Sequence, residues 1–277
     1  MGVKNGEILQ KGSDIKAQPY QPIWLYYPLS ARGEGRPAKR SRGELAVRCP
    51  YMFNTLPQTK SLSLPHTIMQ PFKNLIFDLG EVIIDIDYKQ TVAAFQELAV
   101  VEFSTVVSYT AQNPVFDLYE KGAVSNAVFF DKLRKFLKPG TTDKQIEDAW
   151  NAIFQNYNPQ KIELLKQLKT RYRTFALSNI NDIHLASINQ TARTQFGAPD
   201  FGSFFHNAYY SNLLGHRKPE NEIYALILEK EGLKPEETFF VDDKKENIEA
   251  ARAFGIQAYQ LTDRNKLTDL LTDLKII

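Results

Sequence analysis

The segment Asn74-Leu75-Ile76-Phe77-Asp78-Leu79-Gly80 is a short apolar run that ends in a carboxylate and a glycine. A run of this length, bounded by turn residues, predicts a strand that is buried on both faces. A carboxylate at the end of such a strand lies at the edge of the sheet, where it can act as a nucleophile. The alternative role for Asp78 is to cap the turn that follows.

Three further segments follow in order, each ending in residues suited to phosphate chemistry. They are Phe175-Ala176-Leu177-Ser178-Asn179, Gly215-His216-Arg217-Lys218-Pro219 and Phe239-Phe240-Val241-Asp242-Asp243. A hydroxyl and an amide can bind phosphoryl oxygens, a lysine offsets negative charge, and adjacent carboxylates favour a hard cation. Taken alone, these residues predict only helix caps and a surface lysine.

Strand and helix patterns alternate around these segments. Strands are predicted over 173–177, 208–213, 238–241 and 257–261, and helices over 159–170, 219–232, 245–254 and at the C-terminus. This alternation predicts an α/β fold, with a doubly wound parallel sheet covered on both faces. Ligands of such sheets bind beyond the carboxyl ends of the strands, where Asp78, Ser178 and Asp243 are expected to meet.

The pattern between the first strand and residue 158 is helical. Helices are predicted over 88–99, 114–121, 125–137 and 143–157, the last with Ile146, Trp150, Phe154 and Tyr157 on one stripe. No strand is predicted here. We therefore expect a small all-helical cap over 88–157, inserted into an α/β core formed by 69–87 and 158–277.

Residues 1–68 differ from the rest in composition. They hold seven of the 14 prolines, and ten Lys and Arg against four Asp and Glu, with no helical or alternating periodicity. Such a segment is expected to be disordered. A targeting segment and a non-native extension upstream of Met69 are the alternatives. The other residues carry a net charge of −4, which argues against nucleic-acid binding.

The composition limits the remaining possibilities. Cys49 is the one cysteine, so the chain forms no internal disulfide, which favours a cytoplasmic location. A run of about 18 apolar residues, the length needed to span a membrane, is absent from the sequence.

In order and spacing, the four segments resemble the motifs of the haloacid dehalogenase (HAD) superfamily, whose members are mostly magnesium-dependent phosphatases. The resemblance implies a Rossmann-like core with a helical cap, and Asp78 as the nucleophile that forms an aspartyl-phosphate. It implies phosphate binding by Ser178, Asn179 and Lys218. It also implies Mg²⁺ held by Asp78, the Gly80 carbonyl and Asp243, with Asp242 and Asn247 in the outer shell.

The sequence departs from the family pattern at Gly80. Phosphatases of the family usually carry a second aspartate there, as general acid and base, which is worth ~10²- to 10⁴-fold in rate. Three explanations are open. Glu81 or Asp85 could take the place of the missing aspartate, or the leaving group could need little protonation. Alternatively, the protein could bind phosphorylated ligands without efficient turnover.

Residues 77–87, with 177–181 and His184, are similar to bacterial phosphatases of α-D-glucose 1-phosphate, which also carry glycine at this position. An anomeric oxygen leaves more readily than an ordinary alcohol, so a missing acid is tolerated. Substrate contacts are expected at Glu120-Lys121-Gly122, where the alternative is a plain helix-ending glycine.

The predicted function is a magnesium-dependent phosphomonoesterase acting on a small phosphorylated metabolite such as a sugar phosphate. A non-catalytic phospho-ligand-binding protein is the alternative, because of Gly80. A metal-free dehalogenase is disfavoured because Asp242-Asp243 would then have no purpose. A phosphomutase is disfavoured because it would need the second aspartate at least as much.

Overall fold

The structure is a computed structural model that describes residues 72–103 and 115–277. The predictions for residues 1–68, and the first residue of the helix predicted over 114–121, lie outside the described residues. Within the described ranges, every helix is too short or too polar to cross a membrane.

A five-stranded parallel sheet forms the centre of the core. Its strands are β1 (Asn74–Phe77), β4 (Arg173–Ser178), β5 (Asn207–Tyr210), β6 (Thr238–Asp242) and β7 (Gln257–Gln260). They lie in the order β5-β4-β1-β6-β7. The predicted parallel sheet is confirmed. The strand predicted over 208–213 is too long, because the helical turn α7 (Ser211–Leu214) begins directly after Tyr210.

Helices cover both faces of this sheet. They are α5 (Pro159–Lys169), α6 (Asp182–Phe196), α8 (Asn221–Glu231), α9 (Lys245–Ala253) and α10 (Leu267–Asp273). Side chains of β1 alternate between two apolar clusters: Leu75 and Phe77 pack in one, and Ile76 in the other. Burial on both faces explains why this strand is continuously apolar.

The cap contains four described helices: α1 (Tyr88–Leu98), α2 (Val115–Glu120), α3 (Asn126–Arg134) and α4 (Asp143–Asn151). Its centre is aromatic, with Tyr119 stacked on Phe129 at 4.1 Å and Trp150 edge-on to Phe129 at 4.9 Å. The helical cap is confirmed, but the expectation that 88–157 contains no strand is wrong at its C-terminal end.

The helix predicted over 143–157 is wrong at its end. It stops at Asn151, and the short strand β3 (Phe154–Asn156) pairs antiparallel with β2 (Asp85–Ile86). The apolar stripe that predicted a longer helix continues to Phe154, but the chain is a strand there, and the Phe154 ring packs against the core cluster. The two chain segments that connect cap and core are therefore joined by a small sheet.

His184 links the core helix α6 to the cap. Its ring stacks on Trp150 at 5.3 Å, with Nε2 3.1 Å from the Trp150 carbonyl oxygen and Nδ1 3.1 Å from the Asn181 amide nitrogen. Burial lowers the pKa of His184 to about 4, although the bond to Trp150 opposes the shift. The ring is therefore neutral at pH 7, with Nε2 donating and Nδ1 accepting.

We expect the His184 contribution to stability to be lost as the pH falls from about 6.5 to about 4. Over that range the unfolded state takes up a proton that the folded state refuses, which costs roughly 1–3 kcal/mol. Urea unfolding of the wild type and of His184→Gln at pH 7 and pH 4.5 measures this effect. The variant should lose less stability on acidification, and equal losses would contradict a neutral, buried His184.

Candidate active site

The sheet topology places three of the predicted polar residues at one edge. Asp78 directly follows β1, and its N–H donates to the Val241 carbonyl oxygen at 2.9 Å. Ser178 ends β4 and Asp242 ends β6, the two strands that flank β1. All three side chains are buried. The strand ends that carry Asp78 and Ser178 are therefore neighbours at this edge, and Asp243, the third residue predicted to meet there, directly follows Asp242 and has a carboxylate oxygen within 4.8 Å of one of Asp78.

Lys218 is brought to this edge by the segment before α8, and its side chain is 1% exposed. Its Nζ lies 2.8 Å from Asp78 Oδ1 and 2.6 Å from Asp242 Oδ2. Burial disfavours the charged ammonium, but Asp242 and Asp78 outweigh it and raise the pKa of Lys218. The site thus holds a fixed positive charge beside the predicted nucleophile.

The two adjacent aspartates have different surroundings. Both carboxylate oxygens of Asp242 accept hydrogen bonds within the protein: from Lys218, from the Lys244 N–H at 2.8 Å and from the Asn247 amide at 2.9 and 3.0 Å. Asp243 is half-buried and contacts the flexible Lys244 ammonium at 2.9 Å. Asp243 is therefore the better placed to accept an additional ligand, while Asn247 orients Asp242.

Oxygen atoms of Asp78, Asp242 and Asp243 all lie within 4.8 Å of one another. Burial raises the pKa of Asp78, Lys218 opposes the shift, and Asp242 and Asp243 add to it. Three clustered carboxylates beside two ammonium groups, those of Lys218 and Lys244, leave an excess of negative charge. An all-oxygen set with this excess charge fits a hard divalent cation such as Mg²⁺.

The structure departs from expectation at Asn179. Its amide nitrogen donates to the Lys218 carbonyl oxygen, and its amide oxygen accepts from the Lys218 N–H, both at 2.8 Å. The side chain predicted to bind a phosphoryl oxygen is thus engaged with the Lys218 backbone. It instead fixes the lysine relative to the turn after Ser178.

The loop after Asp78 is closed by an ion pair with a distant part of the chain. Glu81 Oε1 accepts from the Ile86 N–H at 3.1 Å and from Arg264 Nη1 at 2.9 Å, and Arg264 also donates to the Ile86 carbonyl oxygen. Glu81 has a φ of 57°, which is rare for a residue with a side chain. Asp85 pairs with Lys161 at 3.3 Å.

These ion pairs show whether Glu81 or Asp85 is placed to replace the acid that is missing at Gly80. Each of these two carboxylates is engaged within the loop: Glu81 with the Ile86 N–H and Arg264, and Asp85 with Lys161. Glu81 and Asp85 are therefore structural residues of the loop, and the first explanation for Gly80 loses support. No pattern in the sequence pointed to Arg264, which lies 183 positions from Glu81.

The Glu120-Lys121-Gly122 segment is a second place where the cap touches the core, besides the contact of His184 with Trp150. Gly122 has a φ of 69°, and a Cβ atom there would overlap the carbonyl oxygen of Asn212. Lys121 pairs with Glu220 of the core. The glycine does end α2, as the alternative held, but it also allows this close approach.

We expect Gly122→Ala to destabilise the protein more than Gly140→Ala. Both glycines have positive φ, so alanine costs about 1–2 kcal/mol at either position. At Gly140 nothing lies within 4 Å of the added methyl, whereas at Gly122 it meets backbone, which adds about 1–3 kcal/mol. Equal losses in the free energy of unfolding would contradict this close contact.

The chain is similar in sequence to a family of hydrolases and to two phosphatases. The haloacid dehalogenase-like hydrolase family model matches residues 72–255. D-ribitol-5-phosphate phosphatase of Bacteroides thetaiotaomicron is 29% identical over 188 residues, which cover 68% of this chain and 91% of the relative. Phosphorylated carbohydrates phosphatase of Thermotoga maritima is 27% identical over 117 residues, 41% of this chain and 51% of that protein.

Solved structures show the same similarity. A HAD family enzyme from Bacteroides thetaiotaomicron, crystallised in complex with magnesium and inorganic phosphate, is 32% identical with a TM-score of 0.62. The match covers 68% of this chain and 93% of that one.

Proposed function

The chain belongs to the haloacid dehalogenase-like hydrolase family, and from this membership we propose that it is a magnesium-dependent phosphatase of sugar or polyol monophosphates. The observation that carries the proposal is the position of Asp78. Its carboxylate follows the central strand and lies 2.8 Å from the buried Lys218, in a cluster of oxygen ligands.

In the proposed reaction Asp78 attacks the phosphorus atom, and the bond from phosphorus to the substrate oxygen breaks. The leaving oxygen takes a proton from solvent water, since the chain has no acid at Gly80, and Asp78 carries the phosphoryl group. Water then attacks phosphorus, which releases inorganic phosphate and regenerates the carboxylate. Lys218 stabilises the negative charge of the phosphoryl oxygens throughout, and the Ser178 hydroxyl supplies a further hydrogen bond to them.

Asp78, Asp243 and the Gly80 carbonyl oxygen would hold Mg²⁺, with Asp242 as an outer contact. When bound, the ion supplies positive charge that offsets repulsion between the carboxylates and the phosphoryl oxygens. The relative crystallised with magnesium and phosphate supports this assignment.

The substrate class rests on the named relatives, which act on ribitol 5-phosphate and on phosphorylated carbohydrates. Ribitol 5-phosphate is an ester of a primary alcohol, whereas α-D-glucose 1-phosphate, suggested by the loop sequence, is an anomeric ester. Both esters join a phosphate to a neutral, hydroxyl-rich group. The proposed substrates are therefore phosphate monoesters of such hydroxyl-rich groups.

Release of inorganic phosphate from ribitol 5-phosphate, α-D-glucose 1-phosphate and p-nitrophenyl phosphate, with magnesium or with a chelator, tests the proposal. We expect turnover that requires magnesium, on at least one of the two polyhydroxylated esters. Gly80 favours a phospho-ligand-binding protein as the second candidate. Calorimetric binding of magnesium and phosphate without turnover of any ester would support that candidate and overturn the phosphatase.

We expect Gly80→Asp to speed hydrolysis of ribitol 5-phosphate by about tenfold or more, because it restores an acid for a poor leaving group. A Cβ atom at this position lies 3.1 Å from the flexible end of Ile86, so the loop can accept it. Activity on p-nitrophenyl phosphate, whose leaving group needs no proton, should change by no more than about twofold. Gly80→Ala is the matched control, and identical behaviour of the two variants would contradict a missing acid.

A further inference from the structure

A single arginine joins the loop that follows Gly80 to the C-terminal part of the core. Arg264 begins a short 3₁₀ helix, Arg264–Lys266, shortly after β7 ends. Its Nη1 donates to Glu81 Oε1 at 2.9 Å and to the Ile86 carbonyl oxygen at 3.2 Å. Glu81 Oε1 also accepts from the Ile86 N–H at 3.1 Å. The guanidinium of Arg264 therefore contacts both ends of the segment 81–86.

The peptide group between Gly80 and Glu81 is the part of this loop that concerns the metal. This peptide is trans, and the Glu81 N–H donates to the Ile84 carbonyl oxygen at 2.9 Å. In a trans peptide the N–H and C=O bonds lie in one plane and point in opposite directions. The direction of the Gly80 carbonyl, the backbone oxygen proposed to bind Mg²⁺, is therefore fixed by the conformation of Glu81.

The backbone conformation of Glu81 is strained. Its φ of 57° lies in the left-handed region, which residues with a side chain rarely adopt. Rotation about this dihedral angle turns the whole Gly80–Glu81 peptide group, including the Gly80 carbonyl. Strained conformations persist where the surrounding contacts hold them. At Glu81 those contacts are the ion pair with Arg264 and the hydrogen bond from the Ile86 N–H.

We propose that Arg264 is a positioning residue for Mg²⁺, which holds Glu81 in the left-handed conformation and thereby fixes the orientation of the Gly80 carbonyl. This inference rests on the proposed function and deepens it, because it assigns a role to a residue outside the four segments. Without the guanidinium, Glu81 relaxes toward a negative φ in most molecules. The apparent affinity for Mg²⁺ then falls by the fraction that keeps the binding conformation.

Calorimetric titration with Mg²⁺ of the wild type, Arg264→Met and Arg264→Lys tests the inference. We expect Arg264→Met to raise the Kd for Mg²⁺ about tenfold, because strained conformations are rarely populated without their supporting contacts. Arg264→Lys should recover part of this loss, since an ammonium pairs with Glu81 but lacks the planar fork. The kcat for p-nitrophenyl phosphate at saturating Mg²⁺ should stay within about threefold, because bound metal restores the conformation.

Arg173→Met is the matched control. Arg173 donates to a carboxylate oxygen of Glu231 at 2.7 Å and to the Glu231 carbonyl oxygen at 2.9 Å, so it contacts the same two kinds of acceptor as Arg264. It begins β4 and thus lies at the opposite edge of the sheet from Asp78. Its removal should leave the Kd for Mg²⁺ unchanged. An unchanged Kd in Arg264→Met, with any loss confined to stability, would overturn the inference and leave Arg264 as a structural ion-pair partner.

Two substitutions of Glu81 test the backbone step separately. Glu81→Ala and Glu81→Gly both remove the carboxylate, but only glycine adopts positive φ about as readily as negative φ. We expect the Kd for Mg²⁺ to rise about tenfold in Glu81→Ala and about twofold in Glu81→Gly. Equal effects would show that the charge of Glu81 acts rather than its backbone, and would overturn the inference. This comparison also decides if Arg264→Met does not fold.

The proposed function and the role of Arg264 fail in different ways. A wild type that binds no Mg²⁺ would overturn both. A wild type that binds Mg²⁺ and hydrolyses an ester, with a Kd that Arg264→Met leaves unchanged, would overturn the role of Arg264 alone.

Discussion

Asp78→Asn should abolish phosphate release, with a loss of about 10⁴-fold or more in kcat, the scale seen when an enzyme loses its nucleophile. The amide has nearly the shape of the carboxylate but cannot attack phosphorus. The remaining Lys218 to Asp242 pair, at 2.6 Å, should keep the site folded. A steady-state assay of phosphate release with saturating magnesium measures the effect.

Asp273→Asn is the control for Asp78→Asn, since Asp273 is an exposed residue at the end of α10. It should hydrolyse substrate at the wild-type rate. Retention of more than a few per cent of activity in Asp78→Asn would show that another group attacks phosphorus.

Lys218→Met should cause the second large effect, on both activity and stability. It removes the buried ammonium that contacts Asp78 and Asp242 and leaves the carboxylates without their partner. Breaking a buried ion pair in this way costs about 3–5 kcal/mol of folding free energy. Loss of charge stabilisation should lower kcat by about 10²- to 10³-fold.

Two measurements separate the parts of the Lys218→Met effect. Urea unfolding should show the loss of stability, and added magnesium should recover part of it, because a bound cation offsets the same carboxylates. Lys266→Met removes an exposed lysine paired with Asp269 and should change neither quantity appreciably. A fully active Lys218→Met would contradict the role assigned to Lys218.

The sheet and much of the candidate site follow from local patterns in the sequence. Asp78, Ser178 and Asp242 each end a strongly apolar strand, and parallel strands bring their carboxyl ends to one edge. Burial of these strands on both faces makes the apolar runs easy to recognise. The identities of the clustered residues could therefore be predicted without knowing their distances.

Contacts between distant segments could not be predicted in the same way. The closure of the loop after Asp78 by Arg264 depends on how the chain returns after β7, and an isolated arginine carries no pattern. The hydrogen bonds between the Asn179 amide and the Lys218 backbone could not be predicted either, because a Ser-Asn pair is as typical of a helix cap as of a ligand-binding turn. Only the folded arrangement decides between these roles.

Three predictions of secondary structure differ from the structure, and two of the differences have local causes: no helix is predicted over 182–196, where α6 lies, and the helix predicted over 143–157 ends early. Helix α6 has a narrow apolar face, with Ile183, Ile188 and Ala192 buried among polar residues, so its periodicity is faint. Asn181 and Gly197, which cap its two ends, are residues typical of helix termini and mark the helix in the sequence. At β3, Phe154 fits both a helical stripe and a strand, and pairing with β2 decides the outcome.

The most direct test of the central claim is to detect the phosphoryl group on Asp78. A single turnover of p-nitrophenyl phosphate with magnesium, quenched in acid and mapped by mass spectrometry, should show one phosphoryl group on the peptide that contains Asp78. The signal should disappear with hydroxylamine and in Asp78→Asn. Turnover with the phosphoryl group on another residue, or with none on the enzyme at any quench time, would contradict the account.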